Sequence, residues 1–170
     1  MQTWTVAMRN QIEDFLAQFA GAKAVFVPNE GNAGDCLIFA STMDALARAS
    51  IEVEVADKGA DFRNRIVFLG GGGNLVGAYR GMREAIEACR READRVILLP
   101  HTIRANVDLL QSLDHRATIW CRDLRSFQHV RESNPSLDCR LAHDMAFHCD
   151  VNQFMSDQSC NRLGPAMLTE

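Results

Sequence analysis

The sequence predicts an α/β protein with a doubly wound, mostly parallel, Rossmann-like sheet. The first observation is that short apolar segments, typical of buried strands, alternate with helical patterns about six times along the chain. The second is that several apolar segments end in glycine-rich or polar residues. Right-handed connections bring the carboxyl ends of parallel strands to one edge of the sheet, so we expect these polar residues to meet there.

The first elements follow from hydrophobic periodicity. Apolar residues at helical spacing predict an amphipathic helix over residues 5–19 and another over residues 36–48. Residues 24–27 form a short apolar run that predicts a buried strand. Residues 51–55 alternate apolar with acidic side chains, as in a half-exposed or edge strand.

The later elements continue the same alternation. The predicted strands are residues 66–69, 96–99, 117–121 and 138–141, and Pro100 is expected to end the second of these. The predicted helices are residues 79–92, a short segment with Val107, Leu110 and Leu113, and residues 122–131. Residues 1–150 are thus predicted to form a Rossmann-like domain, and the polar, aperiodic residues 151–170 an irregular C-terminal tail.

Composition excludes several classes of protein. The 170 residues are 47% hydrophobic and 24% charged, as in one soluble globular domain. The net charge of −4 argues against a nucleic-acid partner, whose binding surface would normally be basic. The sequence has no apolar run near the ~18 residues of a transmembrane segment and no N-terminal secretory signal pattern. We therefore expect a cytoplasmic protein.

The cysteines are interpreted as reduced thiols because they occur singly in different predicted elements. They are Cys36, Cys89, Cys121, Cys139, Cys149 and Cys160. The nearest approach to a metal-ligand cluster is His143, His148 and Cys149 with Asp144 between them, and its spacing matches no zinc pattern. We expect no metal and no cofactor.

Four consecutive glycines, residues 70–73, follow the predicted strand at residues 66–69 and lead to Asn74 and an expected helix. Glycine costs roughly 0.5–1 kcal/mol relative to alanine within a regular element, so a compensating contact is expected. Two interpretations stay open: contact with a ligand, or a tight turn that packs against its neighbours. Neither this run nor Gly31 and Gly34 has the Gly-x-Gly-x-x-Gly order of a dinucleotide site.

Polar residues at five strand ends are expected to line one crevice. They are residues 32–35, the glycine run with Asn74, residues 101–103, Arg122 with Asp123 and Ser126, and His143 with Asp144.

Several of these residues have two or three possible roles. Asp35 could cap the helix that it precedes or contact a substrate. Arg122 could bind a carboxylate or phosphate, or pair with a nearby acid. His101 could be an acid or base, a hydrogen-bond donor or a surface residue. Asp144 could orient His143, hold a loop or meet the substrate.

Taken together, the segments resemble the polysaccharide pyruvyl transferase family. The matching motifs are residues 31–38, residues 70–75 with Tyr79, residues 99–103, Arg122-Asp123-x-x-Ser126, and residues 143–147. The resemblance implies transfer of a pyruvyl group from phosphoenolpyruvate to a sugar, giving a ketal on a bacterial exopolysaccharide or cell-wall glycan. It also implies two Rossmann-like halves, as in a GT-B-type glycosyltransferase, with this chain as the N-terminal half.

Site residues carry over from the resemblance. The catalytic residues that it implies are Arg122, for the anionic donor, Asp35 and His101. His101 stands where the family often has glutamine, so positioning is the role expected for it. The substrate-binding residues that we expect are Asn32, Gly34, Gly71, Gly72, Gly73, Asn74, Tyr79, Thr102, Asp123, Ser126 and Asp144.

The second α/β half expected from the family is absent from these 170 residues. A fragment, a truncated gene and a short homologue that rebuilds a cleft as a homodimer are the three explanations, and the sequence leaves all of them open. Two other functions stay open as well: a sugar- or anion-binding remnant without catalysis, and a glycosyltransferase half-domain that uses a nucleotide sugar.

Overall fold

The computed structural model describes residues 11–29, 31–57 and 59–149. Helix α1 covers residues 11–17 of this part, and strand β1 (Lys23–Val27) follows it. Helix α2 (Ala33–Arg48) leads to strand β2 (Glu52–Val55). The predicted first residues of α1 and the predicted C-terminal tail lie outside the described residues.

The rest of the chain completes the alternation. The remaining strands are β3 (Ile66–Leu69), β4 (Gly72–Leu75), β5 (Arg95–Ile103), β6 (Ala117–Cys121) and β7 (Asp138–Leu141). The remaining helices are α3 (Gly81–Cys89), α4 (Val107–Gln111), α5 (Leu124–Ser133) and a 3-10 turn over Met145–His148.

The strands form one seven-stranded sheet in the order β2-β1-β3-β5-β6-β7, and every strand pair that the structure describes is parallel. β4 also pairs with β5, beyond the end of β3. β2 lies at the edge, as its alternation indicated, and its Glu52 and Glu54 side chains are exposed and pair with Lys23 and Arg65. The predicted α/β fold class is confirmed.

Two apolar cores lie on the two faces of the sheet, because alternate strand residues point to opposite sides. One core joins residues of α3, α4 and α5, such as Ile86 and Leu110, to Val67 and Leu98. The other joins residues of α1 and α2 to Phe68, Ile97 and Trp120. The sheet is therefore covered on both faces, as a doubly wound arrangement requires.

The order of the strands locates a crevice. The chain passes from β1 through α2 to β2 on one side, and β3 then lies on the other side of β1. α2 covers one face of the sheet, whereas α3 to α5 cover the opposite face. In α/β sheets a ligand typically binds outside the carboxyl ends of the strands at such a reversal, here between β1 and β3.

Two predicted boundaries at this edge are wrong. The glycine run does not lead into a helix, because Gly72–Leu75 forms β4 and the next helix begins only at Gly81. Pro100 does not end its strand, because β5 continues to Ile103. The pairing of β5 with β6 shifts register between Leu98 and His101, and proline is tolerated at such an irregularity because it has no N–H to donate.

Helix boundaries also differ from prediction. α2 begins three residues earlier than expected, at Ala33, because Asn32 and Asp35 form a capping box at its start. α3 is shorter than residues 79–92 and ends at Cys89. Within the described ranges, no helix is both long and apolar enough to cross a lipid bilayer.

Candidate functional site

The loop between β1 and α2 is held by Asn32 and Asp35. The Asn32 side-chain oxygen accepts a hydrogen bond from Gly34 N–H at 2.8 Å, and Asp35 Oδ2 accepts one from Asn32 N–H at 2.9 Å. Asp35 therefore caps α2, which is the first of its two proposed readings. Asn32 and Gly34 are exposed at this helix start, so their position allows contact with a ligand.

Asn29 connects this loop to the glycine run. Its side chain is buried, with 7% of the residue exposed, and Nδ2 lies 3.3 Å from the Gly71 carbonyl and 3.4 Å from Asp35 Oδ1. Its Oδ1 accepts a hydrogen bond from Asn74 Nδ2 at 2.5 Å. Sequence reasoning missed Asn29; its signal is an asparagine two residues after the end of a buried strand.

Three of the four glycines, Gly70, Gly71 and Gly72, are required by contacts with the neighbouring scaffold. A Cβ on Gly70 would lie 2.8 Å from the Asn29 backbone nitrogen, and one on Gly71 would lie 2.7 Å from the Pro100 carbonyl oxygen. Gly72 has a φ of +148°, and a Cβ there would collide with Asn29 Nδ2. The packing interpretation of the run therefore explains these three glycines without a ligand.

Gly73 differs from the other three because it is exposed and touches Arg122. A Cβ on Gly73 would lie 2.8 Å from Arg122 Nη2. The Arg122 guanidinium is held at its other nitrogens: Nε donates to Thr102 Oγ1 at 2.7 Å, and Nη1 donates to Asp144 Oδ2 at 2.6 Å. Nη2 has no hydrogen-bond partner among the described residues, so it is available to an anion that lies over Gly73.

Asp144 is the ion-pair partner of Arg122, and it also caps the 3-10 turn that follows it. Its Oδ1 accepts a hydrogen bond from Ala146 N–H at 3.0 Å, which caps the 3-10 turn. The Asp144 side chain is largely buried, whereas about a third of the Arg122 side chain is exposed. The pairing interpretation of Arg122 therefore holds for Nη1, and the position of Nη2 beside Gly73 is compatible with the anion-binding interpretation.

His101 lies on β5 and is fully buried. Its Nε2 lies 3.1 Å from Leu75 N, which donates to it, and 3.0 Å from Asn74 Oδ1. Burial lowers the pKa of His101 to about 3, and the Arg122 charge acts in the same direction against a smaller opposing effect of the Gly70 carbonyl. The imidazole is therefore neutral at physiological pH and has no access to solvent.

Asp123, the residue after Arg122, caps the start of α5 through Ser126. Asp123 accepts hydrogen bonds from Ser126 N–H at 2.8 Å and from the Ser126 hydroxyl at 2.7 Å, and Arg104 pairs with it at 3.0 Å. Burial alone would raise the pKa of Asp123, but the bonds from Ser126 and Arg104 outweigh it and lower the pKa to about 2. Ser126 is fully buried, so the expected substrate contact does not fit its position.

Thr102 links this cap to Arg122. Its hydroxyl accepts the Arg122 Nε bond and lies 3.4 Å from Asp123 Oδ2. In the structure, Thr102 therefore helps to hold the Arg122 guanidinium in place.

Exposed side chains flank the same edge of the sheet. Tyr79, in the loop after β4, is 61% exposed, and Phe147, in the 3-10 turn, is 66% exposed. The Phe147 ring lies 5.5 Å from the ring of His143. In the part of the chain that the structure describes, no group of three His, Cys, Asp or Glu side chains could hold a metal ion.

The contacts bring together residues that are far apart in sequence. The connected set consists of Asn29, Asp35, residues 70–74, His101, Thr102, Arg122 and Asp144. These residues come from the carboxyl ends of β1, β3, β5, β6 and β7, which supports the expected convergence of polar strand ends.

Comparisons with known proteins agree with this arrangement. A family model described as polysaccharide pyruvyl transferase matches residues 32–167. The chain is also similar to the crystal structure of an uncharacterized protein from Klebsiella pneumoniae subsp. pneumoniae NTUH-K2044, with 27% sequence identity and a TM-score of 0.80. The similarity covers 89% of this chain and 60% of that one. No curated protein matches the chain.

Proposed function

The chain belongs to the polysaccharide pyruvyl transferase family, and on that premise we propose that it takes part in transferring a pyruvyl group from phosphoenolpyruvate to a bacterial glycan. The product is a pyruvate ketal on a sugar of an exopolysaccharide or cell-wall polymer. Phosphoenolpyruvate is a substrate here, and no cofactor is invoked.

The observation that carries this proposal is the fixed orientation of Arg122. Phosphoenolpyruvate presents a carboxylate and a phosphate, and a guanidinium N–H donates a charge-assisted hydrogen bond to either group. Thr102 and Asp144 hold two nitrogens of Arg122, and Nη2 stays free above the exposed backbone of Gly73. A guanidinium held in this way loses little side-chain freedom when an anion binds.

The reaction that we propose begins with protonation of the phosphoenolpyruvate methylene carbon. A first sugar hydroxyl then bonds to the resulting cationic carbon, and the C–O bond to phosphate breaks. A second hydroxyl of the same sugar attacks that carbon and closes the ketal. Two C–O bonds form and inorganic phosphate leaves; one hydroxyl proton balances the proton added to the methylene and the other leaves with phosphate. Arg122 stabilises anionic oxygens in this scheme.

Binding without turnover is the second candidate function. The histidine of the connected set, His101, is neutral and buried, so it is not suited to protonate the substrate. The chain spans 60% of the length of the Klebsiella relative, and a proton donor outside these residues is consistent with that difference. A sugar- or anion-binding module would need only the cleft described above.

Two measurements separate the candidates. The first is phosphate release from phosphoenolpyruvate in the presence of an acceptor sugar, with Arg122→Ala as the test variant and the exposed Arg91→Ala as the control. The second is a thermal-shift titration with phosphoenolpyruvate and with nucleotide sugars, because a ligand that binds only the folded state raises its stability. Turnover that Arg122→Ala abolishes supports the transferase, and stabilisation by phosphoenolpyruvate without phosphate release supports the binding module.

Two further results would count against these assignments. Turnover unchanged in Arg122→Ala would remove Arg122 from the reaction. Stabilisation by a nucleotide sugar with no response to phosphoenolpyruvate would instead favour a glycosyltransferase-like use of the cleft.

A further inference from the structure

His101 occupies an irregular point in the sheet. Gly72 lies opposite His101 and Leu75 lies opposite Ile103, so three residue steps on β4 face two steps on β5. At this bulge the Leu75 N–H donates to His101 Nε2 at 3.1 Å. A side-chain nitrogen thus satisfies a buried backbone donor where the two strands are out of step.

The Asn74 side chain lies between His101 and Asn29. Its Oδ1 is 3.0 Å from His101 Nε2, and its Nδ2 donates to Asn29 Oδ1 at 2.5 Å. A single imidazole nitrogen either accepts or donates, so Nε2 serves only one of its two neighbours. The Leu75 N–H is a backbone donor that cannot turn away, and we therefore assign the His101 proton to Nδ1, which is buried and has no hydrogen-bond partner among the described residues.

We propose that His101 is a positioning residue that anchors Leu75 and thereby holds Asn74 and Gly73 in place beside Arg122. Leu75 follows Asn74 directly, and Gly73 is the residue over which Arg122 Nη2 lies. An anchor at Leu75 therefore controls the segment that forms the floor of the cleft. The expected effect of this segment on phosphoenolpyruvate binding rests on the proposed function. The hydrogen bond that anchors Leu75 to His101 does not.

A positioning role also agrees with the surroundings of the imidazole. His101 is fully buried, and the charged group that acts on it is Arg122 from β6, which disfavours a second positive charge. Its other neighbours, the Gly70 carbonyl and the Asn74 amide, are uncharged. The role therefore requires a hydrogen-bond acceptor at this position and does not require a group that titrates.

Glutamine and leucine variants distinguish an acceptor from a titrating group. His101→Gln keeps a side-chain oxygen that accepts from Leu75 N–H, whereas His101→Leu keeps the bulk and loses the acceptor. His129→Gln is the matched control, because the partly exposed His129 bonds to the Ala105 carbonyl on a different segment. Each variant is made in the full chain and labelled with ¹⁵N for NMR.

The first readout is hydrogen exchange at the Leu75 amide. We expect its protection to fall about tenfold or more in His101→Leu, because a buried N–H without an acceptor is costly. Protection should be retained in His101→Gln and in His129→Gln. Unchanged protection in His101→Leu, or an equal loss in His101→Gln, would overturn the proposal.

The second readout is the protonation state of His101 in the wild-type protein, followed by long-range ¹H–¹⁵N spectra between pH 5 and pH 8. We expect a constant neutral imidazole with bare Nε2, and a titration within that range would refute the proposal. This measurement tests whether His101 is a neutral acceptor for Leu75 even if His101→Leu does not fold.

The third readout is stabilisation by phosphoenolpyruvate, which should be lost in His101→Leu and restored in His101→Gln. Stabilisation that survives in His101→Leu would refute the link between the anchor and the cleft. A wild-type chain that does not respond to phosphoenolpyruvate would contradict the proposed function, and the exchange and titration data would then still decide the role of His101.

Discussion

Gly73→Ala tests whether the free nitrogen of Arg122 binds the anionic donor. The added Cβ would lie 2.8 Å from Nη2, whereas ordinary contact begins at 3.4 Å, so the guanidinium must withdraw by about 0.6 Å. Arg122 is held by hydrogen bonds of 2.7 Å to Thr102 and 2.6 Å to Asp144, and the shift would strain at least one of them. A hydrogen bond to a charged group contributes about 1.5–3 kcal/mol, so we expect phosphoenolpyruvate affinity to fall about tenfold or more.

The fold should tolerate this substitution. Gly73 lacks the positive φ of Gly72, and among the described residues its Cβ would crowd only the end of the flexible Arg122 side chain. Isothermal titration with phosphoenolpyruvate gives the affinity, and thermal unfolding gives the stability. Gly81→Ala is the control, because a Cβ there would meet no atom of the described residues within 4 Å. Unchanged affinity in Gly73→Ala would show that Nη2 does not bind the anion, and a large loss of stability would show that Gly73 serves the fold.

Three further predictions concern the surrounding structure. Gly72→Ala should destabilise the protein by about 2 kcal/mol or more in urea unfolding, because it combines a positive φ with a collision against Asn29; a loss as small as that of Gly81→Ala would contradict this. Asn29→Ala should lower the free energy of unfolding by about 1–3 kcal/mol, because the Asn74 amide loses its buried hydrogen-bond partner. Wild-type stability in this variant would show that the hydrogen bonds of Asn29 do not hold the site together. Asp123 has a lowered pKa, so the stability that it contributes is present above about pH 4 and is lost as pH falls towards about 2. Urea unfolding of Asp123→Asn should therefore differ from wild type at pH 5 and converge with it near pH 2, and a constant difference would refute the assignment.

The regular part of the fold could be predicted because strong local patterns specify it. β1, β3 and β6 are apolar runs buried within the sheet, whereas β2 alternates acidic with apolar residues and lies mostly exposed at the edge. β4 could not be predicted in this way. Gly72–Leu75 has little intrinsic preference for a strand, and its extended form depends on pairing with β5 and on the His101 side chain.

The candidate site was predictable in outline and less so in its contacts. Sequence identified Arg122 and Asp144 as polar strand ends, but their pairing depends on how β6 and β7 align. Ser126 carried the same signal, and the structure instead buries it as part of a helix cap. Asn29 gave almost no signal, because a buried hub is defined by partners that are distant in sequence. Such long-range partners are not encoded in any local pattern.

The contacts of the glycine run also bear on how it would change during evolution. Gly70, Gly71 and Gly72 are constrained by Asn29 and Pro100, which belong to the scaffold. Selection for folding alone would preserve these three glycines, even in homologues without catalytic activity. Among the described residues, Gly73 is constrained by Arg122 alone. If Arg122 binds an anion as we propose, substitution of this fourth glycine together with Arg122 would mark homologues that have lost the proposed anion site while keeping the fold.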